Sequence, residues 1–236
     1  MSVMIDTMFD VYSDTPTGRD PDSHSATLRR YHKMLWSKRL PDGTLFALSD
    51  EHPKRYLSHS SERGEFSLSS DSIGHTYRFV KSMSRIIEAI PGQEVDDFFL
   101  ACSTVGAYII FPSQTINQKP TINGARGLHW KIKDRFDLTL ECISRHYCNQ
   151  ESPLSETLDR YAKFFDLFGS FKGYIEFFLL QDMISEDGIS IDFFIPFNGF
   201  DASPLHSDVN EYRLYKGRLG SFIVARNNRI AEALVG

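Results

Sequence analysis

The order of strand-like and helix-like patterns along the chain constrains its fold more than any other feature. Segments after residue 112 repeat apolar residues at the three- and four-residue spacing of amphipathic helices. Short segments with strand formers and flanking turn residues fall before it, at 45–48, 55–59, 65–68 and 107–111. This order predicts an α+β fold. A small mixed or antiparallel sheet, mostly from the N-terminal half, is packed by helices mostly from the C-terminal half.

The clearest helical pattern covers residues 131–148. Its apolar stripe is formed by Ile132, Phe136, Leu140, Ile143 and Tyr147. The preceding segment, 115–127, contains a proline and two glycines and predicts a loop that ends in Asn123-Gly124-Ala125-Arg126-Gly127. We therefore expect this loop to lead into the N-terminus of the helix.

Other patterns predict further elements. Ser25 is placed to cap a helix over 28–36, and Pro153 and Gly169 bound another predicted helix. Residues 95–102 fit a helix or a strand equally well. The remaining predicted helices cover 79–90, 171–184 and 209 to near the C-terminus, and the remaining predicted strands cover 8–12 and 189–194.

Composition limits the class of protein. Of 236 residues, 41% are hydrophobic and 24% are charged, and neither a repeat nor a linker divides the chain, so we expect one domain over 1–236. The longest apolar stretch, 98–111, is too short to span a bilayer. The first ten residues lack the pattern of a secretory signal. Three cysteines do not suggest a disulfide framework, so a cytoplasmic protein is expected.

Charge is unevenly distributed along the chain. The net charge of −5 argues against a protein that coats nucleic acid without specificity. Even so, segments 25–60, 124–148 and 210–236 are each net positive. If they converge on one face, that face would attract a phosphate-bearing ligand, a nucleotide or a nucleic-acid backbone. The alternative is that these charges solvate helix surfaces and pair with their neighbours.

The segment 123–127 is the leading candidate for an anion site. A helix N-terminus attracts anions, glycines let the backbone approach a phosphate, and Arg126 could bind it bidentately. The alternative is a simple tight turn, and the spacing matches neither the P-loop nor the dinucleotide fingerprint, so no cofactor is predicted. The candidate ligand-binding residues are Asn123, Arg126, His129, Arg135, His146, His32 and Lys38.

Some of these candidates have competing interpretations. His32 and Lys38 lie near Tyr31 and Trp36, which could stack on a base or simply pack in the core. His146 follows Cys142 by four residues, but no second Cys/His pair has suitable spacing, so no metal site is predicted. A small buried cysteine beside a hydrogen-bonded histidine is the alternative.

Two other functional classes remain open. Residues 55–60 and 68–71 resemble segments of ADP-ribosyltransferases, which implies that His59 holds the ribose of NAD, although no glutamate partner is identifiable. An oligomeric or partner-binding structural protein is the other class, since 19 Phe and 10 Tyr suit an interface as well as a core. The sequence does not predict an oligomeric state.

Several segments together resemble an uncharacterised bacterial family of unknown function. They are Phe9-Asp10 with Tyr12 and Asp14, Thr27-Leu28-Arg29-Arg30-Tyr31-His32, Leu35-Trp36-Ser37-Lys38, Leu40-Pro41, residues 134–143, and Arg226-Asn227-Asn228-Arg229-Ile230. The resemblance covers most of the chain. It implies a bacterial origin and a cytoplasmic location, and it implies no particular activity.

Overall fold

The centre of the fold is a three-stranded antiparallel sheet. A computed structural model describes residues 5–52, 56–188 and 190–233. The strands are β1 (Leu57–Ser61), β2 (Gly64–Ser72) and β3 (Tyr108–Pro112), and β2 lies in the middle. The antiparallel sheet and its position in the first half of the chain confirm the predicted α+β class.

Ten α-helices surround the sheet in the described part of the chain, and most of them follow it in sequence. They are α1 (Pro21–His24), α2 (Ala26–Trp36), α3 (Ser84–Glu88), α4 (Gly92–Ala101), α5 (Ile122–Leu128), α6 (Phe136–Tyr147), α7 (Ser155–Arg160), α8 (Ala162–Phe165), α9 (Phe171–Phe177) and α10 (Val209–Ala233). Single 3₁₀ turns cover Lys81–Met83, Val105–Ala107, Asp166–Phe168 and Gln181–Met183.

Helix α2 confirms the prediction made from its cap and its apolar stripe. The Ser25 side chain accepts a hydrogen bond from the Leu28 amide at 3.1 Å, which satisfies one of the free amides of the first turn. Trp36, at the other end, is fully buried and its ring lies 5.2 Å from that of Phe178. The helix therefore fixes one side of the core.

The segment 115–127 was predicted to be a loop, and that prediction was wrong for its second half. Helix α5 covers Asn123-Gly124-Ala125-Arg126-Gly127, and Thr121 caps it by accepting from the Gly124 amide at 3.3 Å. Helix α6 also begins later than predicted, at Phe136. Lys133 and Asp134 adopt positive φ values of 47° and 60°, which a continuous helix from 131 does not allow.

Several other boundaries differ from the sequence predictions. The helix predicted from Pro153 breaks at Tyr161, and the one predicted over 171–184 ends before Leu179, whose φ is +56°. Of the predicted strands, 8–12 forms turns and 45–48 contains only a bridge residue. Arg55 and Ile189, the first residues of two other predicted strands, lie outside the described residues. Residues 95–102 fall mostly in helix α4, and the predicted strand near 191 is only an isolated bridge between Ile184 and Ile191.

The segment predicted as a helix over 79–90 is also shorter than expected. It consists of a 3₁₀ turn over Lys81–Met83 and the short helix α3. Phe79, which was placed on its apolar stripe, is 91% exposed. The long C-terminal helix, by contrast, is confirmed as α10.

Buried side chains from Ile5 to Ile230 form one continuous hydrophobic core. All five residues of β3 are buried, although this strand is at an edge of the sheet. Helix α10 covers this end of the core, because its Tyr212, Tyr215, Leu219, Phe222 and Ile223 are all buried. Interpretation as a single domain stays a prediction, and this continuous core supports it.

Helix α10 approaches the turn before β3 unusually closely at Gly106. The Gly106 amide donates to the Asn227 side-chain oxygen at 2.7 Å. A Cβ atom added at Gly106 would lie 2.6 Å from that oxygen and 2.9 Å from the backbone oxygen of Ile223. Only glycine allows this contact without moving the helix.

We predict that Gly106→Ala destabilises the protein, because the added methyl group forces α10 away from the sheet. The free energy of unfolding should fall by roughly 1–3 kcal/mol, the usual cost of overpacking. Gly217→Ala is the matched control on α10, since nothing lies within 4 Å of its added Cβ. It should leave stability unchanged or raise it by up to about 1 kcal/mol. Urea denaturation measures both, and equal effects of the two substitutions would contradict the close approach.

A candidate ligand-binding cleft beside a buried ion pair

Arg126 is almost completely buried on α5, with 1% of its surface exposed. Its Nη1 pairs with the carboxylate of Asp71 on β2 and donates to the carbonyl of Ser72 at 2.8 Å. Its Nη2 donates to the Asp134 carbonyl at 3.0 Å, and its Nε donates to the Thr139 hydroxyl at 3.3 Å. One guanidinium therefore joins the sheet, α5, the turn before α6 and α6 itself.

Electrostatics keeps Arg126 charged in this position. Burial alone would lower the pKa of Arg126, but the carboxylates of Asp71 and Asp134 more than offset that effect and raise it. Hydrogen bonds to charged partners are the stronger kind, so the pair is well matched to a buried site. The donors of Arg126 are thus largely used within the protein.

Arg135 forms a second buried ion pair, with Asp137. The Arg135 Nε donates to Asp137 Oδ1 at 3.0 Å, and the two side chains are 3% and 0% exposed. The other oxygen of Asp137 accepts from the Phe194 amide at 2.9 Å. This pair therefore fixes the segment around residue 194 to the start of α6.

The structure places the remaining predicted site residues apart from one another. Asn123 donates to the Ser70 carbonyl at 3.1 Å, next to the Arg126 pair. His129 stacks on Trp130, and His146 Nδ1 lies 3.2 Å from Asp159. His32 and Lys38 lie together at the C-terminal end of α2. Ligand binding by these residues stays a prediction, but they do not form one common site.

A cleft of about 270 Å³ lies beside the Arg126–Asp71 pair. Helix α1, the end of β2, the segment 74–80 and the C-terminal part of α4 enclose it. Its lining combines acidic, aromatic and basic side chains, among them Tyr12, Asp20, Asp22, His75, Arg78, Phe79, Phe99 and Tyr108. None of these residues was predicted from the sequence to bind a ligand.

Asp22 is the unusual group in this cleft. The Asp20 side chain caps α1 by accepting from the Asp22 amide at 3.0 Å, and Pro21 occupies the first turn. This local structure directs Asp22 toward β2, which α1 contacts. Asp22 Oδ1 is buried and lies outside ideal hydrogen-bond geometry among the described residues, although the nearby Ser70 hydroxyl, itself buried, interacts with the Asp22 carboxyl. A buried carboxyl oxygen without a well-placed donor is costly, so this atom is a candidate contact for a ligand.

The pKa of Asp22 reflects the same environment. Burial raises the pKa of Asp22 well above its ordinary range, and the neighbouring carboxylates of Asp71 and Asp20 raise it further. The Ser70 side chain and Arg126 oppose this rise. Burial also raises the pKa of Asp71, to about 6, but its ion pair with Arg126 opposes that rise, so we assign the proton of the coupled pair to Asp22 and the negative charge to Asp71.

Aromatic rings form the outer wall of the cleft. The rings of Tyr12 and Phe99 lie 5.1 Å apart, and Phe79 is 91% exposed. The Arg78 guanidinium lies 5.9 Å from the Phe79 ring and 5.8 Å from the Phe99 ring, so these faces already accept a cation. Its Nη1 also pairs with Asp96 at 3.1 Å.

His75 contributes a neutral imidazole to the wall. Its Nδ1 accepts from the Tyr77 amide at 3.1 Å, so the neutral ring carries its hydrogen on Nε2. Burial lowers the pKa of His75, Asp134 raises it and Arg126 lowers it, with a net decrease. Nε2 lies 3.9 Å from Asp134 Oδ2, too far for a direct hydrogen bond.

No group of three or more His, Cys, Asp or Glu side chains that could hold a metal ion occurs in the part of the chain that the structure describes. Within the same residues, no helix has the length and apolar character needed to cross a bilayer.

We predict that Asp22→Asn stabilises the protein increasingly as the pH rises. A raised carboxyl pKa stabilises the folded state below the unfolded pKa, and this contribution is lost as the pH rises through the folded pKa. The carboxamide of the variant does not titrate in this range. The difference in unfolding free energy between variant and wild type should grow with pH, by up to about 1.4 kcal/mol per unit between the two pKa values.

Urea denaturation from pH 4 to pH 8 measures this difference. Glu176→Gln is the control. Glu176 is exposed, and its oxygen lies 3.8 Å from Lys172 Nζ in a surface ion pair, which contributes little to the free energy of unfolding. If Asp22→Asn and the wild type keep a constant difference over this range, the assignment of the proton to Asp22 is wrong.

Comparison with known proteins identifies the family. None of the curated proteins and none of the solved structures matches this chain. One family model matches residues 5–230, nearly the whole described chain, which confirms the resemblance to an uncharacterised family. The chain therefore belongs to the family of unknown function DUF6994.

Proposed function

We propose that the protein binds a small molecule that carries a protonated amine beside an apolar group, and that it does so in the cleft around Asp22. The observation that carries this proposal is the buried carboxyl of Asp22, which interacts with the Ser70 hydroxyl but has no cationic ion-pair partner among the described residues, and which lines a cleft walled by aromatic rings. An ammonium group would donate to that carboxyl and supply the missing positive charge.

The aromatic wall supports the same class of ligand. Cations bind to the faces of Tyr, Phe and Trp rings, with a gain of roughly 0.5–2 kcal/mol depending on desolvation. Tyr12 provides such a face at the mouth of the cleft, beside Phe79 and Phe99, whose rings already contact the Arg78 guanidinium. The volume of about 270 Å³ is slightly below the usual range of drug-sized sites, so a small ligand is favoured.

Protonation is coupled to binding in this proposal. Burial, and then Asp71, raises the pKa of Asp22, which favours the protonated carboxyl in the free protein. A bound cation stabilises the ionised carboxylate, so binding releases a proton. Affinity should therefore increase as the pH rises toward the pKa of Asp22 and should level off above it.

The anionic ligand expected from the sequence gains little support from the predicted residues. Arg126 and Arg135 donate to Asp71 and Asp137, so little of either charge is left for a phosphate. Binding of an anion by His32 and Lys38 stays a separate prediction, since these residues lie at another place in the core.

The alternative of an NAD-using ADP-ribosyltransferase also gains no support. His59 is 2% exposed, and its Nδ1 lies 3.0 Å from the carbonyl oxygen of Ala47. Its ring packs between Phe46 and Phe66, at centroid distances of 4.3 Å and 6.2 Å. This position suits a packing residue better than a ribose contact.

A partner-binding role has one specific observation in its favour. Leu128 and Trp130, at and after the end of α5, are 72% and 62% exposed and form an apolar surface that the fold does not cover. A cytoplasmic location remains part of the proposal. It is supported by Cys102, Cys142 and Cys148, all of which are free thiols, as expected in a reducing compartment.

Thermal denaturation with a ligand panel tests the amine proposal. The panel should contain primary amines, diamines and guanidines, with carboxylates and phosphate esters as the opposite charge class. We expect amines to raise the melting temperature. A ligand at one hundred times its dissociation constant adds about 2.7 kcal/mol to the unfolding free energy. The response should be larger at pH 8 than at pH 5.

Asp22→Asn should abolish the response to amines, since it removes the charge but keeps the shape of the side chain. Glu176→Gln, which changes an exposed carboxylate outside the cleft, should keep it. Stabilisation by phosphates instead of amines, or an unchanged amine response in Asp22→Asn, would show that the cleft does not have the proposed role.

A further inference from the structure

Among the residues that the structure describes, Arg226 is the third buried arginine, and its environment differs from those of Arg126 and Arg135. It lies on α10 and is fully buried. Its Nη1 donates to the carbonyls of Gly106 and Tyr108 at 2.8 and 2.7 Å, and its Nε and Nη2 donate to the carbonyl of Phe178 at 3.2 and 3.0 Å. It has no carboxylate partner among the residues that the structure describes.

A buried charge without a counter-ion is among the most costly features of a protein interior. Carbonyl dipoles solvate the guanidinium but leave its full charge in place. Consistent with this, burial lowers the pKa of Arg226 to about 9, and only Tyr174 opposes the decrease. These four contacts also leave one N–H of the guanidinium without an acceptor among the described residues.

The groups around Arg226 add donors and no negative charge. The Trp36 ring lies 5.7 Å from the guanidinium carbon, and its fully buried Nε1–H has no acceptor among the described residues. The Tyr174 hydroxyl interacts electrostatically with Arg226 and likewise has no partner there. An indole N–H can only donate, so a group that accepts hydrogen bonds fits beside it.

The charge of Arg226 also acts on His32 of α2 and on Lys38 just after α2; burial, and then Arg226, lowers the pKa of His32 to about 3, so its imidazole is neutral. His32, one helical turn before Trp36, has an unpartnered Nε2, which is a donor in the tautomer whose Nδ1 accepts from the Tyr56 hydroxyl at 3.2 Å. Lys38 Nζ lies 5.1 Å from the Trp36 ring and 4.7 Å from the Phe177 ring. Burial, and then the charge of Arg226, lowers the pKa of Lys38 to about 8. The Lys38 ammonium and the Arg226 guanidinium therefore lie within electrostatic range of each other.

We propose that a small inorganic anion of halide size binds in the core between α2, α9 and α10, next to Arg226, and accepts hydrogen bonds from Trp36 and Tyr174. Lys38, which is only partly buried, lies at the outer side of this site. A water molecule could satisfy the same donors but would leave the charge of Arg226 uncompensated. The inference is independent of the cleft at Asp22, which uses other residues.

The test uses the whole protein and two kinds of measurement. Thermal denaturation is followed while sodium chloride replaces sodium gluconate at constant ionic strength, and crystals grown in sodium bromide are measured at the bromine absorption edge. We expect the melting temperature to rise with chloride and to saturate. We also expect an anomalous peak beside Arg226, Trp36 and Tyr174.

Tyr174→Phe and Trp36→Phe each remove one donor and keep an aromatic ring, whereas an Arg226 substitution is a poorer test because it threatens the fold itself. Loss of a hydrogen bond to a charged group should raise the chloride concentration at half-saturation about tenfold or more. Tyr212→Phe is the matched control. It is a buried tyrosine of α10 whose hydroxyl donates to the Thr76 carbonyl at 2.7 Å, and it should leave the chloride dependence unchanged.

Two results would overturn the proposal. In the first, chloride and gluconate stabilise the wild type equally and no anomalous peak appears near Arg226, which would identify the occupant as water. In the second, Tyr174→Phe and Trp36→Phe keep the half-saturation of the wild type, which would place any bound anion elsewhere.

Discussion

The buried ion pair between Arg126 and Asp71 is the interaction on which most of the fold depends. It joins residues 55 positions apart, from the central strand β2 to helix α5. Through the Asp134 carbonyl and the Thr139 hydroxyl, the same guanidinium also fixes the turn and the helix that follow. After burial, the charge of Asp71 is the next cause of the raised pKa of Asp22, so the pair also influences the protonation of the cleft. The same ion pair therefore contributes both to the packing of the fold and to the electrostatics of the candidate site.

The three buried arginines in the described part of the chain organise the core in two different ways. Arg126 and Arg135 are neutralised by aspartates that lie at the start of a helix or in the sheet. Arg226 instead binds the carbonyls of Gly106, Tyr108 and Phe178, and so connects the long helix α10 to the edge of the sheet. Buried ion pairs add little net stability compared with apolar residues, but their loss leaves an uncompensated charge. Each arginine thus specifies which segments meet.

Local signals in the sequence predicted the elements that local interactions determine. Helix α2 followed from Ser25 and its apolar stripe, and α10 from its long helical spacing. The α+β class followed from the order of such segments. Helix α5 could not be predicted in the same way, because Gly124 and Gly127 favour a loop and its stability depends on a long-range pair with Asp71. The positive φ values at Lys133 and Asp134 were not predicted either; they occur in the turn whose Asp134 carbonyl accepts from Arg126.

The candidate site was harder to predict than the fold. Charged residues in polar segments usually lie in solvent, so Asp22 gave no signal beyond the helix-capping pattern of Asp20 and Pro21. For the same reason, Arg126 and Arg135 were predicted to bind a ligand, whereas both side chains lie in the core. His32 and Lys38 were identified because they lie beside Trp36. Their neighbour Arg226 is distant in sequence, and only the folded chain brings it to them.

A double-mutant cycle of Arg126→Met and Asp71→Asn tests the central role of this ion pair most directly. The free energy of unfolding is measured by urea denaturation for the wild type, the two single variants and the double variant. Each single variant should lose about 3–5 kcal/mol, because it leaves one buried group unpaired. The double variant should lose clearly less than the sum of the two. Losses that add within about 0.5 kcal/mol would contradict the account, because independent sites behave in that way.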